Sequence, residues 1–112
     1  MGTIIVAGKR IEVDECGFLV NRSDWSEDVA TAMARADGME LTSEHWEVIN
    51  FMREYYEEHQ LVPILRMLPK SFGKKFGPDK GNNKYLFELF PLGPSKQAVR
   101  YAGFPWPNFG CS

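Results

Sequence analysis

The run from Thr42 to Glu58 constrains this chain more than any other segment. Trp46, Ile49, Met52 and Tyr56 recur at helical spacing, and Val48, Phe51 and Tyr55 widen the apolar stripe. A stripe that broad does not suit a surface helix, so this helix is expected to be central to the core. Thr42-Ser43-Glu44 opens it, and Glu47, Asn50, Arg53, Glu54, Glu57 and Glu58 read as its solvated face.

Shorter elements surround it. Residues 3–7 read as a strand, Gly8-Lys9 as a tight turn and residues 10–13 as a second strand, which residues 16–20 could extend. A helix is expected over residues 26–36, with Val29, Met33 and Ala32 inward and Gly38 at its C-terminus. Pro63 suits the first turn of a helix over 64–76, inside which Pro69 predicts a kink or break. After the loop 77–83, Asn82 or Asn83 caps a short helix over 84–89, and Pro94 begins a last helix to Ala102, closed by Gly103. The predicted fold class is mainly α (α+β): a small N-terminal β-hairpin, a bundle of about five short helices and an extended C-terminal arm. Residues 1–102 are expected to form a single domain and residues 103–112 a mobile arm.

With 112 residues the chain can bury a modest core, and 44% apolar with 25% charged residues is ordinary for a soluble globular protein. A formal net charge of −2 argues against a dedicated nucleic-acid binder. No stretch approaches a membrane span, and residues 1–20 lack the apolar core of a signal peptide. The expectation is a cytoplasmic protein with no membrane partner. Two cysteines without such a leader argue against a structural disulfide. His45 and His59 pair with neither cysteine at a zinc-like spacing, so no metal and no cofactor are expected. The glycines of segment 73–81 are not followed by the Gly-Lys-Ser/Thr of a phosphate loop, and no Ser/His/Asp set or carboxylate pair stands out. Lys70, Lys74, Lys75, Lys80 and Lys84 cluster around the third helix and the loop after it. They suit a docking face for an acidic protein surface or a tRNA-bound partner at least as well as a helix-turn-helix, whose glycine-turn signature is missing.

The candidate chemistry lies at the C-terminal end, Gly103-Phe-Pro-Trp-Pro-Asn-Phe-Gly110-Cys111-Ser112. Pro105 and Pro107 favour an extended arm, with a reach on the order of 25 Å at about 3.1 Å per residue. Phe104, Trp106 and Phe109 make it too apolar for an idle tail. A terminal carboxylate one residue from Cys111 disfavours the thiolate, and no adjacent base or helix N-terminus favours it. The thiol therefore suits a carrier, activated inside partner sites, better than a nucleophile in isolation. Lys96 and Arg100, one helical turn apart, could offset the carboxylate if the arm folds back. Cys16, beside Gly17, reads as a buried or half-buried structural cysteine, with a resolving thiol for Cys111 as the alternative.

The segment Asn82-Asn-Lys-Tyr-Leu-Phe-Glu-Leu-Phe-Pro-Leu-Gly-Pro-Ser-Lys-Gln-Ala98, followed by Ala102-Gly-Phe-Pro105 and Gly110-Cys111, closely resembles the DsrC/TusE family. Trp25, Leu41-Thr-Ser-Glu-His-Trp-Glu47, the segment 51–57 and Pro63-Ile-Leu-Arg66 match the same pattern. The resemblance implies a small helical protein that carries sulfur on Cys111 as a persulfide. It also implies a donor complex of the TusBCD or DsrEFH type, and as acceptor a tRNA-thiolating enzyme or sulfite reductase. A TusE-like relay toward thiolation of the wobble uridine of tRNA is the leading expectation. The alternative is a DsrC-like, gamma-subunit-like partner of dissimilatory sulfite reductase or of sulfur oxidation, including a regulatory DNA-binding protein. Lys96, Arg100 and Arg66 are candidates for docking the arm or contacting partners. Val99 occupies the position of the second arm cysteine of the sulfite-reductase branch, which excludes a bridge between two arm cysteines. Trp106 replaces the usual lysine between the arm prolines, and Asn108-Phe109 lengthens the arm by one residue.

Overall fold

The computed structural model describes residues 2–64 and 66–104. The chain forms two compact units, one of Met1–Leu41 with Arg100–Ser112 and one of Thr42–Val99.

The first unit opens with strands β1 (Gly2–Val6) and β2 (Lys9–Val13), an antiparallel hairpin in which Gly2 faces Val13 and Val6 faces Lys9. The turn falls on Ala7-Gly8, one residue earlier than the sequence suggested, with φ of 51° and 80°. Two successive positive φ values are what a two-residue hairpin turn needs to follow the twist of its strands. Residues 16–20 extend the sheet by a single bridge, Val13 to Leu19. A 3-10 turn, Arg22–Asp24, leads to α1 (Glu27–Ala36). Ser26 caps α1 by accepting from the Val29 N–H at 3.3 Å, and Gly38 follows it with φ of 78°. Val29, Ala30, Met33 and Ala34 are buried, whereas Ala32 is only half-buried. β1 packs against this helix.

In the second unit, α2 (Ser43–His59) buries His45, Val48, Ile49, Phe51 and Met52, as the stripe required. Trp46, Tyr55 and Tyr56 flank that face half-buried. Gln60 ends the helix in the left-handed region, φ 58°, its N–H donating to Tyr56 O at 2.7 Å. The expected kink at Pro69 does not occur, because α3 (Met67–Phe76) starts three residues later than the sequence suggested. Pro69 thereby falls in the first turn, where an N–H has no intrahelical partner to lose. Phe51 meets Phe72 edge-on at 5.3 Å between ring centres. Both rings are buried, and burial of a side chain of that size contributes about 1.5–3 kcal/mol.

Helix α4 (Asn83–Leu89) is capped by Asn82, whose Oδ1 accepts from the Tyr85 N–H at 2.9 Å. The preceding loop touches α3 backbone to backbone: a Cβ on Gly81 would stand 2.1 Å from the Cα of Gly73. Pro94 takes the first position of α5 (Pro94–Tyr101), as expected of a residue without an N–H. Val99 is fully buried, and the last residues of α5, Arg100 and Tyr101, belong to the first unit. Among the described residues no helix is long and apolar enough to cross a membrane.

Candidate functional site at the root of the arm

The end of α5 and the residues that follow it to Phe104 are held tightly within the first unit. Trp25, in the stretch between the 3-10 turn and α1, donates its indole Nε1–H to Tyr101 O at 2.6 Å. That carbonyl is one of the four at a helix C-terminus that lack an intrahelical donor. Gly103 then crosses the face of the same indole, where a Cβ would lie 2.4 Å from Trp25 Cδ1. Its φ of 86° also favours glycine. Phe104 is buried, with the Arg22 guanidinium 6.0 Å from its ring centre.

Asp37 braces the other side. Its Oδ2 accepts from both the Arg100 guanidinium and the Tyr101 hydroxyl, which also lies 3.7 Å from Met39 Sδ. Arg100 Nη2 donates further to Met33 O at 3.3 Å. The ion pair is largely shielded, with side-chain exposures of 20% for Arg100 and 15% for Asp37, so removing one partner would strand the other. Arg100 Nε is buried without a hydrogen-bond partner among the described residues. The guanidinium also approaches the turn at Cys16-Gly17, where a Cβ on Gly17 would lie 3.8 Å from Arg100 Cδ.

Of the candidate docking residues Lys96, Arg100 and Arg66, Arg100 enters this network. Lys96 is half-buried on α5 and Arg66 exposed at the start of α3, both in the second unit. Cys111 and the arm from Pro105 onward lie outside the described residues. Cys16 is half-buried but disulfide-bonded, which corrects the expectation of free thiols. That expectation rested on cysteine number and compartment, neither of which carries the geometry of the fold. Of the lysine cluster, Lys75 pairs with Glu54 at 2.7 Å and Lys80 with Glu47 at 2.8 Å, while Lys70, Lys74 and Lys84 are exposed.

Asp37 and Tyr101 escaped the sequence reading altogether. Asp37 stood before the helix-ending Gly38, where a polar residue needs no further explanation, and its partners lie more than sixty residues away.

The family model for DsrC-like proteins matches residues 5–111, nearly the whole chain. The chain belongs to this family. The sulfurtransferase TusE of Salmonella typhimurium is 49% identical over 104 residues, which are 93% of this chain and 95% of that protein. The NMR structure of Allochromatium vinosum DsrC superposes with a TM-score of 0.88 at 57% identity, over 99% of this chain and 98% of the other. The oxidized gamma-subunit of dissimilatory sulfite reductase (DsrC) from Archaeoglobus fulgidus gives a TM-score of 0.81 at 42% identity, covering 98% and 99% of the two chains. The hairpin and five helices found here are thus the DsrC-like fold, and the match extends through Cys111.

Proposed function

We propose that this protein is a cytoplasmic sulfur-relay protein that carries sulfane sulfur as a persulfide on Cys111 between a donor protein and an acceptor enzyme. The observation that carries the reading is the family match, which runs through Cys111, with relatives named sulfurtransferase TusE at about half identity. The acceptor is a tRNA-thiolating enzyme, as in a TusE-like route to the thiolated wobble uridine, and the donor a TusBCD-like complex. The braced root supports this role: a carrier must hand its thiol to partners while the domain that they recognise stays fixed. Residues 103–112 act as the carrying arm of the protein. Arg100 is a positioning residue at its base, and Lys96 and Arg66 are contacts for partners.

A second reading, a DsrC-like partner of sulfite reductase or sulfur-oxidation machinery, is favoured by the 57% identity to Allochromatium vinosum DsrC. Val99 weighs against chemistry that needs two arm thiols, since that side chain is apolar and fully buried.

The test is transfer from a persulfide donor, read by intact mass and by peptide mapping. Sulfur is expected on Cys111 of the wild type and absent from the Cys111→Ser variant. A protein that takes up no sulfur, or takes it up equally after that substitution, overturns the assignment. Pull-down against the tRNA-thiolating enzyme and against sulfite reductase separates the two readings.

A further inference from the structure

Between the hairpin and the start of α1, the first unit contains a cavity of about 340 Å³. That volume lies near the lower end of the range for small-molecule sites, about 300–1,000 Å³. Val6 and Ile11, both buried, give it apolar lining, and Trp25 adds an aromatic surface. Lys9 and Arg10, the first residues of β2, line it from the hairpin. Asp24, which ends the 3-10 turn, and Asp28, in the first turn of α1, line it from the other segment. All four charged residues are exposed, so solvent reaches the cavity.

These charges do not neutralise one another. Among the described residues, none of the four side chains makes an ion pair or a hydrogen bond. Two cations and two carboxylates around one cavity, left apart, select what can lie between them. A simple anion would be drawn to Lys9 and Arg10 but repelled by Asp24 and Asp28, and a simple cation would meet the reverse. A molecule that carries both signs is attracted from both sides. The buried Val6 and Ile11 add a gain for one that also has an apolar group. Exposed charges contribute little each, so the affinity belongs in the millimolar range.

We propose that this cavity binds a small zwitterion, an α-amino acid with an apolar side chain. Its carboxylate lies toward Lys9 and Arg10, its ammonium group toward Asp24 and Asp28, and its side chain against Val6 and Ile11. Trp25 connects the site to the root of the arm. Its indole donates to Tyr101 O at 2.6 Å, and a Cβ on Gly103 would stand 2.4 Å from its Cδ1. An occupant therefore touches the side chain that holds that root. The site needs nothing of Cys111, so it stands or falls independently of the carrier reading.

The full-length, isotope-labelled protein is titrated with L-leucine and with L-phenylalanine while its amide spectrum is recorded. Signals of residues 6–11 and 23–28, and the Trp25 indole N–H, are expected to shift together and saturate. Two analogues of leucine divide its charges: isocaproate lacks the ammonium group and isoamylamine lacks the carboxylate. Each should bind at least about tenfold more weakly than leucine. Replacing both cations, Lys9→Gln with Arg10→Gln, should erase the preference for leucine over isoamylamine. Replacing both carboxylates, Asp24→Asn with Asp28→Asn, should erase the preference over isocaproate. All four side chains are exposed, and unchanged amide signals away from the cavity verify that each variant is folded. If neither amino acid shifts the signals around the cavity at tens of millimolar, the site is refuted. Equal binding of the singly charged analogues, or preferences that survive the substitutions, overturns the assignment to a zwitterion.

Discussion

Gly103 carries two independent demands at one position. Its φ of 86° is costly for any residue with a Cβ, and a Cβ there would meet Trp25 at 2.4 Å. Gly103→Ala should therefore lower the melting temperature by several degrees and change the emission of Trp25, both measurable in one fluorescence-detected melt. Unchanged stability would mean that the root yields. Gly103 was legible in the sequence as the residue that ends the last helix, but its contact with Trp25 was not. Close approach between positions 25 and 103 leaves no periodicity in either segment. Asp37 was illegible for the same reason, since a side chain that accepts from Arg100 and Tyr101 looks locally like any polar residue after a helix. Asp37→Asn keeps the shape but removes the charge opposite Arg100. It should cost roughly 1–3 kcal/mol in urea denaturation, the usual range for a shielded polar group left short of its partner.

At the scale of elements, the sequence exposed what repeats and hid what joins. The stripe on α2 was readable because four successive turns carry it, and the cap of α4 because asparagine has a mechanism for that role. The start of α3 was misplaced because Pro63 and Pro69, six residues apart, each fit a first turn, and only packing chooses between them. His45 joins α2 to the end of α4. Its Nδ1 accepts from Thr42 N–H at 3.0 Å, which leaves the proton on Nε2 to donate to Leu89 O at 2.7 Å. A second tie between these helices is the Tyr85 hydroxyl, which donates to Glu44 Oε2 at 2.8 Å. Burial first, then the hydrogen bond and negative charge of Glu44, push the Tyr85 hydroxyl up to about 12 from the usual 10. With a folded value above the unfolded one, this tie stabilises fully below pH 10 and is lost as pH rises toward 12. Denaturation midpoints should accordingly fall between pH 10 and 12 more steeply in the wild type than in Tyr85→Phe. Parallel curves for the two proteins would refute the tie.

For the whole molecule, the chain divides into two compact units, and the last residues of α5 belong to the first of them. The fold class and the family could be read from the sequence, because hydrophobic period, turn chemistry and a terminal motif are local properties. The braced root could not, since it is assembled from residues 22–39 and 100–104, distant in sequence. Burial of Phe104 has a further consequence for kinetics. Anchoring the chain seven residues before its thiol confines the sulfur to a small hemisphere, whatever path those residues take. Effective concentrations for tethers this short are in the millimolar range. Any thiol within that hemisphere meets Cys111 far more often than dilute thiols in solution do, so the tether length, rather than nucleophilicity, ranks its reaction partners.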